Sequence, residues 1–263
     1  MTPRSFLVHG LVAGLIAGFA AFAVAVVFAE PQIDTAIALE EAGSAEPEHS
    51  HDDAAAHADE GHSHGEGAEV SRSTQSTWGL ATGTLLLGTV LGGATALGAA
   101  FALGRLGSLS ARASTALIAG IGFVATGLVP FLKYPSTPPA VGSGDTIGER
   151  TALYFGFWAI SLVAAIAAVV LARRLLPRLG AYGSVVVGAA AYLLVVTVAG
   201  VALPTVNEIG DFPADTLWYF RRESIVTVAV LWAVLGVVLA GLVGRDADRI
   251  AATQRRREAA AAL

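Results

Sequence analysis

Residues 224–243 read SIVTVAVLWAVLGVVLAGLV, twenty positions without an Asp, Glu, Lys or Arg, bounded by Arg221, Arg222 and Glu223 before and by Arg245 and Asp246 after. A helix needs ~20 mainly apolar residues to cross ~30 Å of hydrocarbon, so this stretch has the length and chemistry of a membrane span. Five further stretches repeat the pattern: Phe6–Ala29, Trp78–Leu103, Ala113–Leu132, Thr151–Ala172 and Ala181–Leu203, each 20 to 26 residues long with no acid, lysine or arginine inside. A chain in lipid must satisfy its backbone internally, and the period-two polarity of barrel strands is absent. The expected fold is therefore all-α, a polytopic transmembrane bundle of six spans forming a single membrane domain over residues 1–263.

Composition points the same way. Of 263 residues, 54% are hydrophobic and only 14% charged, too little charge to cover a soluble domain of this length. There is no cysteine and Met1 is the only methionine, which excludes disulfides, thiolate or thioether metal sites and a thiol nucleophile. Arginine and lysine set the orientation. In a six-span alternation Arg4, Arg105, Arg112, Arg173, Arg174, Arg178, Arg245, Arg249, Arg255, Arg256 and Arg257 fall on one side, and Arg72, Lys133, Arg150, Arg221 and Arg222 on the other, eleven against five. The positive-inside rule then places both termini in the cytoplasm of a multi-pass plasma-membrane protein, and makes the C-terminal arginines a topology anchor in place of a nucleic-acid surface.

The first span ends in Val27-Phe28-Ala29, a small-residue cleavage site of signal-peptide type, but its apolar run exceeds the ~7–15 residues of an ordinary signal core. It is expected to remain as a span. Gly10, Gly14 and Gly18 recur every fourth residue and lay a smooth ridge along one face, which suits close helix packing and is compatible with self-association. Gly88, Gly92, Gly93, Gly98, Gly120, Gly122 and Gly127 extend the theme. Two readings stand: a compact bundle, or a bundle with a sliding interface. A weak repeat is also visible. Val129-Pro130 and Leu203-Pro204 each open an outer loop that closes on arginine (Arg150; Arg221 and Arg222) before a span carrying Trp158 or Trp232, as in duplicated transporter hairpins.

Residues 30–77 form the loop expected outside the membrane. It holds His49, His51, His57, His62 and His64, five of the six histidines, among twelve acids. His49-Ser50-His51 and His62-Ser63-His64 place two imidazoles on the same face of an extended chain, ~6–7 Å apart, where both can reach one cation. Imidazole suits Co²⁺, Ni²⁺ and Zn²⁺, and the acids add oxygen ligands. The Ala, Gly, Ser and Glu content argues for a disordered segment. The plainer reading is an acidic, solvated linker. In the later outer loops Asp145, Glu149, Glu208 and Asp211 read either as turns whose charges neutralise one another or as an acidic vestibule that concentrates cations. His9, alone near the cytoplasmic end of the first span, reads as an interfacial residue.

Two strings carry a resemblance. Val129-Pro130-Phe131-Leu132-Lys133-Tyr134-Pro135 runs on to Pro138-Pro139-Ala140-Val141-Gly142, with Asp145-Thr146, Arg150-Thr151 and Tyr154 after it; the second is Leu203-Pro204, Glu208, Phe212-Pro213-Ala214-Asp215, Leu217-Trp218 and Phe220-Arg221. On these the chain resembles the CbtA-type cobalt transporter family in its actinobacterial form, over nearly its whole length. The resemblance implies cobalt uptake linked to cobalamin synthesis, beside a small single-span partner that also carries histidines.

The functional expectation is a divalent-metal uptake transporter or permease component, with Co²⁺ as substrate ion (Ni²⁺ and Zn²⁺ are alternatives) and no tightly bound cofactor. A phosphate-binding Gly-x-x-x-x-Gly-Lys-[Ser/Thr] loop is absent. A divalent ion moving inward gains ~4.6 kcal/mol per 100 mV, over a thousandfold in concentration, so none is required. The spans offer no acid or histidine at mid-depth, only hydroxyls such as Thr126, Ser161 and Thr197. That gap keeps a second reading open, an accessory or sensor protein presenting ions to a separate permease. No His-Glu-x-x-His or Gly-x-Ser-x-Gly motif supports an enzyme.

Overall fold

A computed structural model describes residues 2–44 and 71–262; the five loop histidines lie outside the described residues. Among those residues the chain is helix and connecting turn, with no strand. Five helices are long and apolar enough to cross a membrane: α1 (Pro3–Ala42), α2 (Arg72–Ala102), α3 (Ala111–Lys133), α4 (Gly144–Ala202) and α5 (Ala214–Ala261). Their ends follow from local chemistry. Thr2 caps α1 by accepting the Ser5 N–H, with Pro3 at the first helical position, and Ser110 caps α3 by accepting the Ala113 N–H at 3.2 Å; each supplies an acceptor for an otherwise orphaned donor. Gly104 lets the chain leave α2 at φ 70°, a left-handed turn that favours glycine.

The longest apolar run, α4, is two helices. Gly180 interrupts it at φ 66°, ψ −179°, three residues after Pro177. In a straight helix residues 161 and 192 would stand ~46 Å apart, at ~1.5 Å per residue. Instead the Ser161 and Tyr192 hydroxyls meet at 2.9 Å, Gly188 packs on Ala168 and Ala172, and Gly200 faces Phe157. Contacts that climb one arm descend the other, so residues 147–179 and 181–202 lie antiparallel.

Helices also run past the apolar stretches. The backbone stays helical beyond Ala29 to Ser44, because residues 36–41 are strong helix formers and because Arg72, at the start of α2, bonds both Glu30 and Asp34. The segment joining the first two apolar stretches is thus helical at both ends. At the other end of the molecule, α5 continues from Val243 to Ala261.

α1 and α2 pack backbone to backbone. Gly10 lies against Gly92, Gly14 against Gly88 and Gly18 against Thr84, and a Cβ at Gly14 would collide with the Gly88 carbonyl. Each four-residue step up α1 meets a four-residue step down α2, so the ridge expected on the first span is the seam of an antiparallel pair. Lipid tails are as apolar as leucine, so close van der Waals packing of small residues is what holds such helices together. Phe6, Ala13, Ala17, Ala96 and Ala99 join Leu231, Trp232, Leu235 and Leu239 of α5 in one core. Ala125 of α3 joins Phe157, Ala164, Tyr192 and Val196, from both arms of α4, in a second. Outside, Val163, Val201 and Val237 are 66%, 83% and 75% exposed, an apolar exterior that suits lipid and that water-soluble proteins avoid.

Candidate functional site

The site begins where the loops after α3 and α4 are tied together. Lys133 Nζ donates to the Leu203 carbonyl at 3.1 Å, and Tyr134 Oη to the Pro204 carbonyl at 2.8 Å. Arg221, near the N-terminal end of α5, donates from Nε to the Ser136 carbonyl at 3.3 Å. Glu208 is the knot. It accepts the Thr146 hydroxyl at 2.8 Å and the Ser143 N–H at 3.1 Å, with Arg150 Nε 3.6 Å away. The hydrogen bonds from Thr146 and Ser143, with the Arg150 charge behind them, hold its carboxyl below the usual range. Gly142 turns at φ 96° directly under Arg150, where a Cβ would stand 2.7 Å from the guanidinium carbon.

Beneath these loops a cavity of about 770 Å³ opens between α3, the first arm of α4 and α5. Its walls are apolar and aromatic: Phe131, Tyr154, Phe155 and Trp158, with Thr126 and Trp232 at depth. From Arg221 to Trp232 is eleven residues of α5, ~16 Å at ~1.5 Å per residue, or about half the hydrocarbon thickness. A second cavity of about 800 Å³ starts on the far side of Trp232 and runs past Phe123 and Gly236 to Arg112 and Arg245. Trp232 lines both. Its indole sits in a notch at Gly122, where a Cβ would come within 2.6 Å of the ring. Beside it α3 relaxes into a π-turn over Val124–Leu128, a feature frequent at functional positions.

Of the four acids read from the sequence, Glu208 alone is in the wall of the first cavity. Asp145, Glu149 and Asp211 are exposed and are absent from that wall. No three His, Asp or Glu side chains among the described residues come together as a metal-binding group. Of the hydroxyls, Thr126 faces the cavity but donates to the Gly122 carbonyl. Ser161 is buried, donating to the Ala125 carbonyl at 2.8 Å, and Thr197 is exposed. Sequence reasoning missed the cations in the wall, Lys133, Arg150 and Arg221, although the arginines were visible as the ends of two loops. It also missed the partner of His9, whose Nε2 lies 3.5 Å from Asp246 of α5.

Long apolar helices with an apolar exterior define a multi-pass α-helical membrane protein. Residues 3–244 match the family described as probable cobalt transporter subunit (CbtA). The chain belongs to that family. No curated protein matches it, and no solved structure does.

Proposed function

We propose that the chain is the membrane-crossing subunit of a cobalt uptake system in the plasma membrane, with six spans, both termini cytoplasmic, and a histidine-bearing extracytoplasmic segment that captures the metal. The observation carrying this reading is the pair of cavities that enter from opposite ends and meet at Trp232, near the middle of the apolar stretch 224–243. The antiparallel arms of α4 support six crossings, since the run folds back at Gly180. His49, His51, His57, His62 and His64 would take the metal outside, and exposed Asp145, Glu149 and Asp211 would attract cations to the same face. A small histidine-bearing partner fits the family description of a subunit.

The test is uptake of Co²⁺ into sealed liposomes holding only the purified chain, with an inside-negative potential. Voltage-dependent accumulation above empty liposomes is expected. The lack of a cation-ligand cluster among the described residues favours one rival, a subunit that only presents metal to a separate permease. Deleting residues 45–70 separates the two. A conduit keeps uptake at high metal concentration, whereas a presenter loses its effect at every concentration.

A further inference from the structure

Five basic side chains sit at the end of the molecule where the positive-inside rule disfavours them, so anchoring does not explain them. Their partners divide them. Arg72 and Arg222 lie outside the cavity, and each has a carboxylate: Arg72 pairs with Glu30 and Asp34, Arg222 with Glu223. Lys133, Arg150 and Arg221 line the cavity and, among the described residues of its wall, have one carboxylate, Glu208, between them. Glu208 is 3.6 Å from Arg150 and already accepts two hydrogen bonds. The hydrogen bonds of Lys133 and Arg221 go to the backbone carbonyls of Leu203 and Ser136. A neutral donor could make those bonds as well, and an ammonium or guanidinium has further donors to spare. Ser136 Oγ, also in the wall, is buried with no hydrogen-bond partner among the described residues.

Among the described residues the lining carries three cations and one carboxylate, two positive charges in excess. Such a lining attracts anions, the logic by which basic rings select anions in pores. Size agrees. The cavity of about 770 Å³ has the room of ~25 water molecules at ~30 Å³ each, far more than a hydrated ion fills. It lies within the ~300–1,000 Å³ of organic-ligand pockets, and its aromatic walls with few polar groups have their usual make-up.

We propose that the outer cavity binds a small carboxylate-bearing anion. It stands on the cavity alone and is independent of the cobalt-uptake reading. Lys133 and Arg221 supply the attraction, and Glu208 limits it by holding Arg150.

The test uses the full chain in nanodiscs of neutral phosphatidylcholine, with metal-free radiolabelled citrate as probe, so the loop histidines contribute nothing. Saturable citrate binding is expected, weakened at least tenfold in Lys133→Gln and in Arg221→Gln. Arg221→Lys should bind within about threefold of wild type, and Glu208→Gln more tightly than wild type. Should Arg221→Gln fail to fold, Lys133→Gln, Arg221→Lys and Glu208→Gln still decide. Absence of citrate binding, or binding indifferent to Lys133 and Arg221, overturns the proposal. So does retained phosphatidylglycerol that blocks citrate in anionic nanodiscs, which would assign the cavity to a lipid headgroup. Cobalt chloride accumulated in liposomes without chelator by a chain that ignores citrate sinks this inference and spares cobalt uptake. Metal-free citrate binding by a chain that never accumulates cobalt, with or without chelator, does the reverse.

Discussion

The α1–α2 seam and the α3–α5 interface are built from the same small residues and behave in opposite ways. At the seam, glycine faces glycine, and the two backbones close until nothing fits between them. Between α3 and α5, Gly122 faces an indole, and cavities open above and below that contact. Glycine content alone therefore says nothing about tightness. What decides is the side chain opposite: another glycine makes a rigid pair, a large aromatic makes a plug with space around it. One half of the molecule is framework and the other holds the volume.

The strongest way to break this contrast is to add volume at the seam. Gly14→Leu should abolish a folded, monodisperse product, since overpacking costs ~1–3 kcal/mol or more even where only side chains must move, and here the obstacle is the Gly88 backbone. Gly83→Leu, on the same helix as Gly88 but with nothing within 4 Å, should be recovered at near wild-type yield by size-exclusion chromatography. Equal losses from both would refute the distinction.

Trp232→Ala comes next. It should lower stability by about 3–5 kcal/mol on the scale of buried aromatic truncations and join the two cavities. Because the chain has no cysteine, a single cysteine at Gly236 reports the joining. A membrane-impermeant thiol reagent added outside should label it in the Trp232→Ala background and not in the parent. Labelling in both would mean that Trp232 does not close the route.

A smaller effect is expected from Ser161→Ala. It removes the bond to the Ala125 carbonyl and the contact with Tyr192, which should cost about 1–2 kcal/mol in thermal or denaturant unfolding. A neutral result would show that the α4 arms are held by Phe157 and the alanines around it.

The smallest is a pH effect at Glu208. Its pKa is lowered in the folded protein by the Thr146 and Ser143 hydrogen bonds. The stability it confers is therefore full above the ordinary carboxylate range and lost as pH falls through the lowered value. Unfolding midpoints measured from neutral to acid pH should drop less in Glu208→Gln than in wild type, and parallel curves would remove Glu208 as the knot.

Much of the architecture was legible because spans announce themselves by composition: six charge-free runs became helices, and the four-residue glycine ridge named its own partner-facing side. Helix ends were harder. Nothing apolar distinguishes residues 30–44 or 244–261, which continue as helix through propensity and, in the first case, through the pairing of Arg72 with Glu30 and Asp34. The site was least legible. Lys133 meets Leu203 across 70 positions and Arg221 meets Ser136 across 85, contacts that no spacing rule announces. Loop composition reports which charges are present but not which way they face, so Asp145, Glu149 and Asp211 counted as heavily as Glu208. The basic residues that line the chamber were read as votes on topology, as loop ends and as part of the family strings, not as a lining.

The Arg72 clamp bears on where the chamber lies. His9 opposite Asp246 fixes α1 and α5 as antiparallel neighbours, which brings Glu30 level with Ile225 in the wall of the outer cavity. The ion pairs of Arg72 with Glu30 and Asp34 therefore stand at the level of that cavity's wall, so the brace between α1 and α2 and the chamber share one depth of the molecule.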